Sequence, residues 1–150
     1  VMPIAPHAQA KDGPPLGPKQ ASENLESVQR AWKLHYDNAM HGLVGGYYQG
    51  WDLHPAQLVT RYAAVYSFFL GGLDAASDRL TNFIKRAAQA TLVGDLFDDA
   101  ATGQGLLNFF LRAKNCGALT EDEAARLSGL SADELASRSF VKILAGRRKH

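Results

Sequence analysis

One segment constrains the fold of this chain more than any other: residues 46–58, with the sequence GYYQGWDLHPAQL. The aromatic and branched residues from Tyr47 to Leu53 suit a buried strand. Pro55 suits the first turn of a helix, because the N–H that it lacks is not needed there. The segment therefore predicts a strand that runs directly into a helix, and such a strand needs parallel neighbours to satisfy its backbone groups.

Most of the remaining sequence is helical in pattern. Apolar residues recur at three- and four-residue steps in four stretches, each of which predicts an amphipathic helix. These stretches are 22–42, 55–71, 74–90 and 100–116. Two capping boxes, Thr120-x-x-Glu123 and Ser131-x-x-Glu134, predict two further short helices. The short apolar segment Met2–Ala5 predicts a second strand.

This inventory gives four or more helices and at most two strands, so the chain cannot supply the parallel neighbours that its strands need. A C-terminal portion of a (β/α)8 barrel removes the difficulty, because the other strands would then lie upstream. The opening Val1-Met2 also suggests a piece of a longer product. We expect an α/β fold class that is mostly α-helical in this chain. Residues 1–72 should form the last two βα units of the barrel, and residues 73–150 a helical extension or lid.

Charge and composition exclude several classes of partner. Sixteen basic and fifteen acidic side chains leave a net charge of +1, which favours neither nucleic acid nor an anionic membrane. The longest apolar stretch, residues 63–73, is shorter than the roughly 20 residues that span a bilayer. The single cysteine, Cys116, cannot form an internal disulfide, and no signal peptide precedes the first helix. We expect a cytoplasmic protein.

The end of the predicted strand carries the first candidate site. Barrel enzymes place their active-site groups at the carboxyl ends of strands, which favours His54, with Asp52 and Gln57, as substrate-binding residues. The alternative is that the His54 ring bonds a neighbouring loop while Pro55 starts the helix. His35 lies on an apolar helix face and is interpreted as a core histidine bonded to a backbone carbonyl. No histidine or cysteine spacing predicts a metal site in this chain.

The acidic segment 94–99, GDLFDD, carries the second candidate. Its carboxylates could cap the following helix, or one of them could act as a general base beside the apolar cover of Leu96 and Phe97. The spacing of these carboxylates fits helix capping and general-base catalysis equally well. The nearby Gly103-Gln104-Gly105 lacks a preceding strand and a lysine, so it predicts close helix packing rather than a phosphate-binding loop.

These segments resemble the C-terminal part of the HpcH/HpaI aldolase and citrate lyase β-subunit group, in the phosphoenolpyruvate/pyruvate barrel superfamily. The last barrel strand of citrate-lyase-like members reads approximately GFxGKxxIHPxQI. The residues matching it in order are Gly46-Tyr47, Leu53-His54-Pro55 and Gln57-Leu58. Gln49-Gly50 replaces the glycine-lysine pair of the group.

A second motif of the group, close to GxMIDxP, opens a helix. The residues that fall on it are Gly94, Leu96, Phe97 and Asp98, with Ala100 where proline is usual. Upstream, Pro3-Ile4 resembles the preceding strand, although Ala5 stands where an acidic residue is common. The likeness covers about three quarters of the chain and is greatest to an aldolase-like branch without an assigned substrate.

The resemblance implies a lyase or aldolase that makes or breaks a carbon–carbon bond next to a carbonyl. It implies Mg²⁺ held by a glutamate and an aspartate on upstream strands, and a 2-oxo acid or acyl-CoA as substrate. In CoA-dependent members the motif aspartate lies on a helical lid and serves a neighbouring subunit as acid or base. That position is Asp98 here, so the resemblance implies a homo-oligomer with Asp98 as a catalytic residue. This chain alone is then expected to be inactive.

Two other functions stay open at this point. One is a metal-dependent aldolase that acts on free 2-oxo acids without CoA. The other is a non-catalytic helical interaction module that folds alone. An orphaned barrel fragment should expose Val65, Phe69 and Phe83 and associate through them.

Overall fold

The computed structural model describes residues 2–48, 50, 52–92 and 99–147. These ranges contain seven α-helices, one 3₁₀ turn at Pro55–Gln57 and no strand. The α-helices are α1 (Pro18–Val44), α2 (Leu58–Gly71), α3 (Leu73–Leu92), α4 (Ala100–Asn115), α5 (Glu121–Ser128), α6 (Ala132–Ala136) and α7 (Phe140–Arg147). The mostly helical character predicted from the sequence is confirmed. The chain forms two compact units, residues 1–68 and 69–150.

The two predicted strands do not form in the described residues of Met2–Ala5 and Tyr47–Leu53. A strand exists only where a second strand accepts and donates its backbone hydrogen bonds, and the described ranges contain no second strand. The N-terminal segment is instead tied to α1 by side chains. The His7 N–H donates to Asn24 Oδ1 at 2.8 Å, and Asn24 Nδ2 donates to the His7 carbonyl at 2.8 Å.

Helix α1 is longer than its predicted extent of 22–42. It begins after Gly17, with Pro18 at its first position, and the Gln20 side chain accepts the Gly17 N–H at 3.1 Å. Its buried residues repeat at four-residue steps: Ala31, His35, Ala39 and Leu43. Leu25 lies within the predicted stretch but is 59% exposed. The buried face therefore consists of two alanines, one histidine and one leucine.

The unit of residues 69–150 has a core shared by α3, α4, α5 and α7. Leu80, Leu107 and Phe110 are fully buried in it, and so is Phe140 at the start of α7. Both predicted capping boxes are confirmed. Thr120 and Ser131 cap α5 and α6, and Glu123 and Glu134 bond back to the cap N–H groups. No sequence signal predicted α7.

The expected exposure of Val65, Phe69 and Phe83 is wrong. Phe69 is buried against the ring of Phe109, with centroids 5.1 Å apart, and Val65 and Phe83 are half-buried. The exposed apolar side chains of unit 1 lie elsewhere, as described below. Within the described ranges, no helix combines the length and apolar content needed to cross a membrane.

Candidate functional site

The segment that links α1 to α2 is a turn built on its own side chains. The Gln57 side-chain oxygen accepts the backbone N–H of Leu53 at 2.8 Å and that of His54 at 3.0 Å. His54 Nδ1 accepts the Ala56 N–H at 3.2 Å, and Pro55 fills the first position of the 3₁₀ turn. Since Gln57 is buried and bonds two successive N–H groups, residues 53–57 are held in one conformation.

Helix α1 anchors this turn through its indole. Trp32 Nε1 donates to the Ala56 carbonyl at 3.0 Å. A half-buried tryptophan usually needs such a partner for its N–H, and here the partner is the backbone of the turn itself. The position of the turn against α1 is therefore fixed by a directional bond as well as by packing.

Four side chains form a continuous hydrogen-bonded network beside the turn, here called the Asp52 network: His35, Asp52, Thr60 and Arg61. His35 Nδ1 lies 2.6 Å from Thr60 Oγ1, and His35 Nε2 lies 3.0 Å from Asp52 Oδ1. Arg61 donates to both oxygens of Asp52, from Nε at 3.2 and 3.3 Å and from Nη2 at 3.1 Å. Thr60 Oγ1 also donates to the Gln57 carbonyl at 3.1 Å.

The charges in this network favour an ionised Asp52. The hydrogen bond from Arg61 is the main reason that the pKa of Asp52 lies below its ordinary value of 3.8; partial burial opposes this shift, and His35 adds to it. An ionised carboxylate only accepts hydrogen bonds, so His35 Nε2 is the hydrogen-bond donor to Asp52 Oδ1. The side chain of Asp52 is 14% exposed and that of Arg61 is 21% exposed, so water screens this ion pair only in part.

Thr60, His35 and Asp52 have the residue types of a nucleophile, a base and an orienting acid. Their surroundings do not suit that chemistry. Thr60 is 9% exposed and His35 is 8% exposed, and the hydroxyl group already bonds the Gln57 carbonyl. The Asp52 network therefore acts as a clamp that joins α1, the turn and α2.

The three predicted substrate-binding residues of this segment, Asp52, His54 and Gln57, lie together around one turn. Both oxygens of Asp52 are bonded to Arg61, and the Gln57 oxygen is bonded to the backbone. Half-buried His54 differs, because its Nε2 makes no hydrogen bond with another described residue. His35 is buried as expected, but its partners are two side chains rather than a backbone carbonyl.

Of the acidic segment 94–99, only Asp99 lies within the described residues. Asp98, the predicted catalytic residue, and Asp95 lie outside the described residues. Asp99 is described, and it caps α4 by accepting the Thr102 N–H at 3.2 Å. The capping interpretation is thus confirmed for Asp99.

Sequence reasoning missed Arg61 and Thr60. Arg61 lies nine positions after Asp52, a spacing that matches no helical or strand repeat, because the turn at 53–57 brings the two together. Only a weaker signal indicated this pair: Arg61 lies near the start of a helix, and the acidic residue Asp52 lies in the loop before it. Among the described residues, no group of three or more His, Cys, Asp or Glu side chains is placed to hold a metal ion.

Comparison with known proteins adds one finding. The model of a domain of unknown function, DUF6986, matches residues 1–143. This chain belongs to the DUF6986 family. The match includes the whole of unit 1, with the Asp52 network, and most of unit 2. No curated protein and no solved structure matches this DUF6986 chain.

Proposed function

We propose that this chain is the C-terminal part of a carbon–carbon lyase or aldolase with a (β/α)8 barrel, which acts on a carbonyl compound in the cytoplasm. The observation that carries the proposal is the exposure of apolar side chains along residues 47–59, in and beside the 53–57 turn. Tyr47 is 69% exposed, Leu53 75% and Val59 63%. Scattered exposed apolar residues are ordinary, but several of them within one short segment favour a contact surface.

The N-terminal half of α2 extends this surface. Leu58 and Tyr62 lie in the predicted amphipathic helix of residues 55–71, yet they are 45% and 52% exposed. In a (β/α)8 barrel, a strand at 47–53 would have parallel neighbours on both sides, and the helix that follows would pack on the sheet. Upstream strands would cover these side chains, which is why the surface supports the barrel reading.

His54 is then the substrate contact of this segment. Its Nδ1 accepts the Ala56 N–H, so Nε2 carries the ring proton and can donate a hydrogen bond to a substrate oxygen. Asp52 and Gln57 become positioning residues, since their polar groups hold the turn that carries His54. Of the three residues predicted to bind substrate, only His54 then contacts it.

The residues described here do not form a site for Mg²⁺. Asp52 is engaged by Arg61 and His35, and no other described carboxylate joins a ligand group. We therefore derive no metal step from this chain. Under the proposal the ligands lie on upstream strands, and a 2-oxo acid or an acyl-CoA is the substrate. The enzyme would be a homo-oligomer, because Asp98 is assigned to the active site of a neighbouring subunit.

The proposal is tested on the protein with its upstream sequence included. Purified protein and Mg²⁺ are supplied with candidate acyl-CoA thioesters and candidate 2-oxo acids, and acetyl-CoA and pyruvate are measured. Acetyl-CoA formation supports the CoA-dependent function, and pyruvate formation supports the aldolase that uses free 2-oxo acids. Absence of both products from both substrate classes would overturn the proposal.

Asp98→Asn tests the assigned acid or base. Loss of general acid–base catalysis should lower kcat by about 10² or more. Asp99→Asn is the matched control, since it makes the same chemical change at a residue that caps α4. Asparagine caps helices about as well as aspartate, so this control should retain kcat. Unchanged turnover in Asp98→Asn would reduce Asp98 to a structural residue.

A non-catalytic helical interaction module is the second candidate, and one observation favours it. In the described part of residues 69–150, the large apolar side chains that are strongly exposed are only Leu70 and Val141. Circular dichroism and size-exclusion chromatography of the 150-residue chain separate the two candidates. A compact monomer that melts cooperatively favours the module, whereas association through the surface of unit 1 favours the barrel reading.

A further inference from the structure

A cleft of about 240 Å³ lies between α3 and α4, within the second unit. Six residues line it: Arg79, Asn82, Phe83, Arg86, Thr102 and Leu106. The four from α3 follow one helical stripe, at steps of three, one and three residues, and the two from α4 are four residues apart. The cleft is thus a groove between two packed helices, and four of its six lining residues are polar.

The two arginines of the cleft are not neutralised. Neither Arg79 nor Arg86 forms an ion pair or a hydrogen bond with another described residue. Arg61 and Arg147, by contrast, are paired with Asp52 and Glu134. Arg79 and Arg86 are two helical turns apart, about 10 Å along the axis, so both guanidinium groups can reach one ligand between them.

Two described acidic residues adjoin the lining of the cleft, Asp78 and Asp99, and neither is paired with its arginines. Asp99 is occupied as the cap of α4, where it accepts the Thr102 N–H. Asp78 precedes Arg79 on α3 and lies one turn before Asn82, at the edge of the stripe, and it is not among the residues that line the cleft. Among the described residues, the lining of the cleft therefore has two positive charges and no negative one, which favours an anion.

The remaining lining residues indicate what kind of anion fits. The Asn82 amide and the Thr102 hydroxyl make no side-chain hydrogen bond within the described ranges and can bond ligand oxygens. Phe83 and Leu106 are half-buried and give the cleft an apolar wall. Arginine forks match phosphate oxygens in geometry, and an aromatic wall suits an organic group attached to the phosphate.

We propose that this cleft binds a small phosphate ester, with Arg79 and Arg86 on the phosphate group and with Phe83 and Leu106 against the organic part. The cleft is formed by residues of the second unit alone, and the proposal does not depend on the proposed lyase activity. Its volume admits a phosphate group with a small ring or short chain, but not a dinucleotide.

The test is a chemical-shift titration of the isotope-labelled 150-residue chain at constant ionic strength, with inorganic phosphate and phenyl phosphate as probes. Phenyl phosphate should bind about tenfold more tightly than inorganic phosphate, since it adds the burial of an apolar ring. Arg86→Gln should weaken phenyl phosphate binding by about tenfold or more, because it removes charge-assisted bonds. Lys85→Gln is the matched control, since it removes one positive charge from the adjacent exposed position outside the cleft.

Three results would overturn the proposal. The first is the absence of shift changes at α3 and α4 with either probe. The second is equal affinity for the two probes, which would remove the role of the apolar wall. The third is that Lys85→Gln and Arg86→Gln weaken phenyl phosphate binding equally, which would mean that the net positive charge of α3, and not the cleft, attracts the probe. Circular dichroism of each variant checks that α3 is retained, and both substituted side chains, Lys85 and Arg86, are exposed.

Discussion

Two glycines in α4 offer a sharp test of how the second unit packs. A Cβ atom added at Gly103 would lie 2.3 Å from two ring carbons of Phe140, whereas one added at Gly105 would meet nothing within 4 Å. Carbon atoms in favourable contact are about 3.5–4.0 Å apart. Gly103→Ala therefore forces Phe140 to move, while Gly105→Ala fills open space.

The magnitudes follow from the surroundings. Phe140 is fully buried, and its ring already packs on Phe83 with centroids 5.5 Å apart, so it has little room to retreat. Overpacking of this kind costs about 1–3 kcal/mol, and this overlap is severe enough to place it near 3. Replacing glycine by alanine inside a helix returns about 1 kcal/mol at either position. We expect Gly103→Ala to lose about 2 kcal/mol and Gly105→Ala to gain about 1.

The assay is urea unfolding followed by far-UV circular dichroism. The helix-propensity gain is common to both variants, so the difference between their free energies of unfolding isolates the clash with Phe140. Phe140→Leu provides a further check, because a smaller side chain should reduce the cost of Gly103→Ala in that background. Equal stabilisation by both alanine variants would refute the packing of α4 against Phe140.

Asp52→Asn should lower the stability of unit 1 by about 2 kcal/mol near pH 7, because it weakens hydrogen bonds to charged groups. The pKa of Asp52 is lowered in the folded protein, so its stabilisation is complete above the ordinary pKa of 3.8. It is lost as the pH falls below that value and through the folded pKa. The deficit of the variant should therefore vanish in acid. Urea titrations between pH 2.5 and 7, followed by tryptophan fluorescence, measure this, and a deficit independent of pH would contradict it. Asp37→Asn, which affects an exposed pair with Lys33, should cost less than about 0.5 kcal/mol. Arg138 has a φ of 53°, so Arg138→Gly should raise the thermal midpoint by relieving about 1 kcal/mol of backbone strain, and a lower midpoint would show that the arginine side chain matters more.

Local signals in the sequence predicted local structure well. The capping boxes at Thr120 and Ser131 formed as predicted, because a cap needs only groups three residues apart. Helices α2, α3 and α4 follow the predicted stretches closely for the same reason. The strands predicted at Met2–Ala5 and Tyr47–Leu53 do not form in the residues that the structure describes there, because strand formation depends on a partner that the segment itself does not contain.

The sequence predicted which segment carries the candidate site, but it did not predict which side chains bond each other there. The pattern at 46–58 identified the His54-Pro55 turn, and Asp52, His54 and Gln57 do lie around it. The Asp52 carboxylate bonds Arg61 and His35 because the turn brings residues of two helices to it. No spacing rule covers contacts made through a turn of irregular backbone.

Gly103 and Gln104 show which properties follow from the sequence alone and which follow only from the tertiary structure. The sequence by itself determined that Gly103-Gln104-Gly105 is not a phosphate loop and that α4 passes through it, since helix formation is decided by neighbours within one or two turns. Only the tertiary structure decided that Gly103 faces the Phe140 ring. It also decided that the Gln104 amide bonds the Phe140 N–H at 2.9 Å and the Arg138 carbonyl at 3.1 Å, while Gly105 faces open space. The physical reason is that packing joins residues more than thirty positions apart, and periodicity in one helix carries no information about which side chain another helix will place against it.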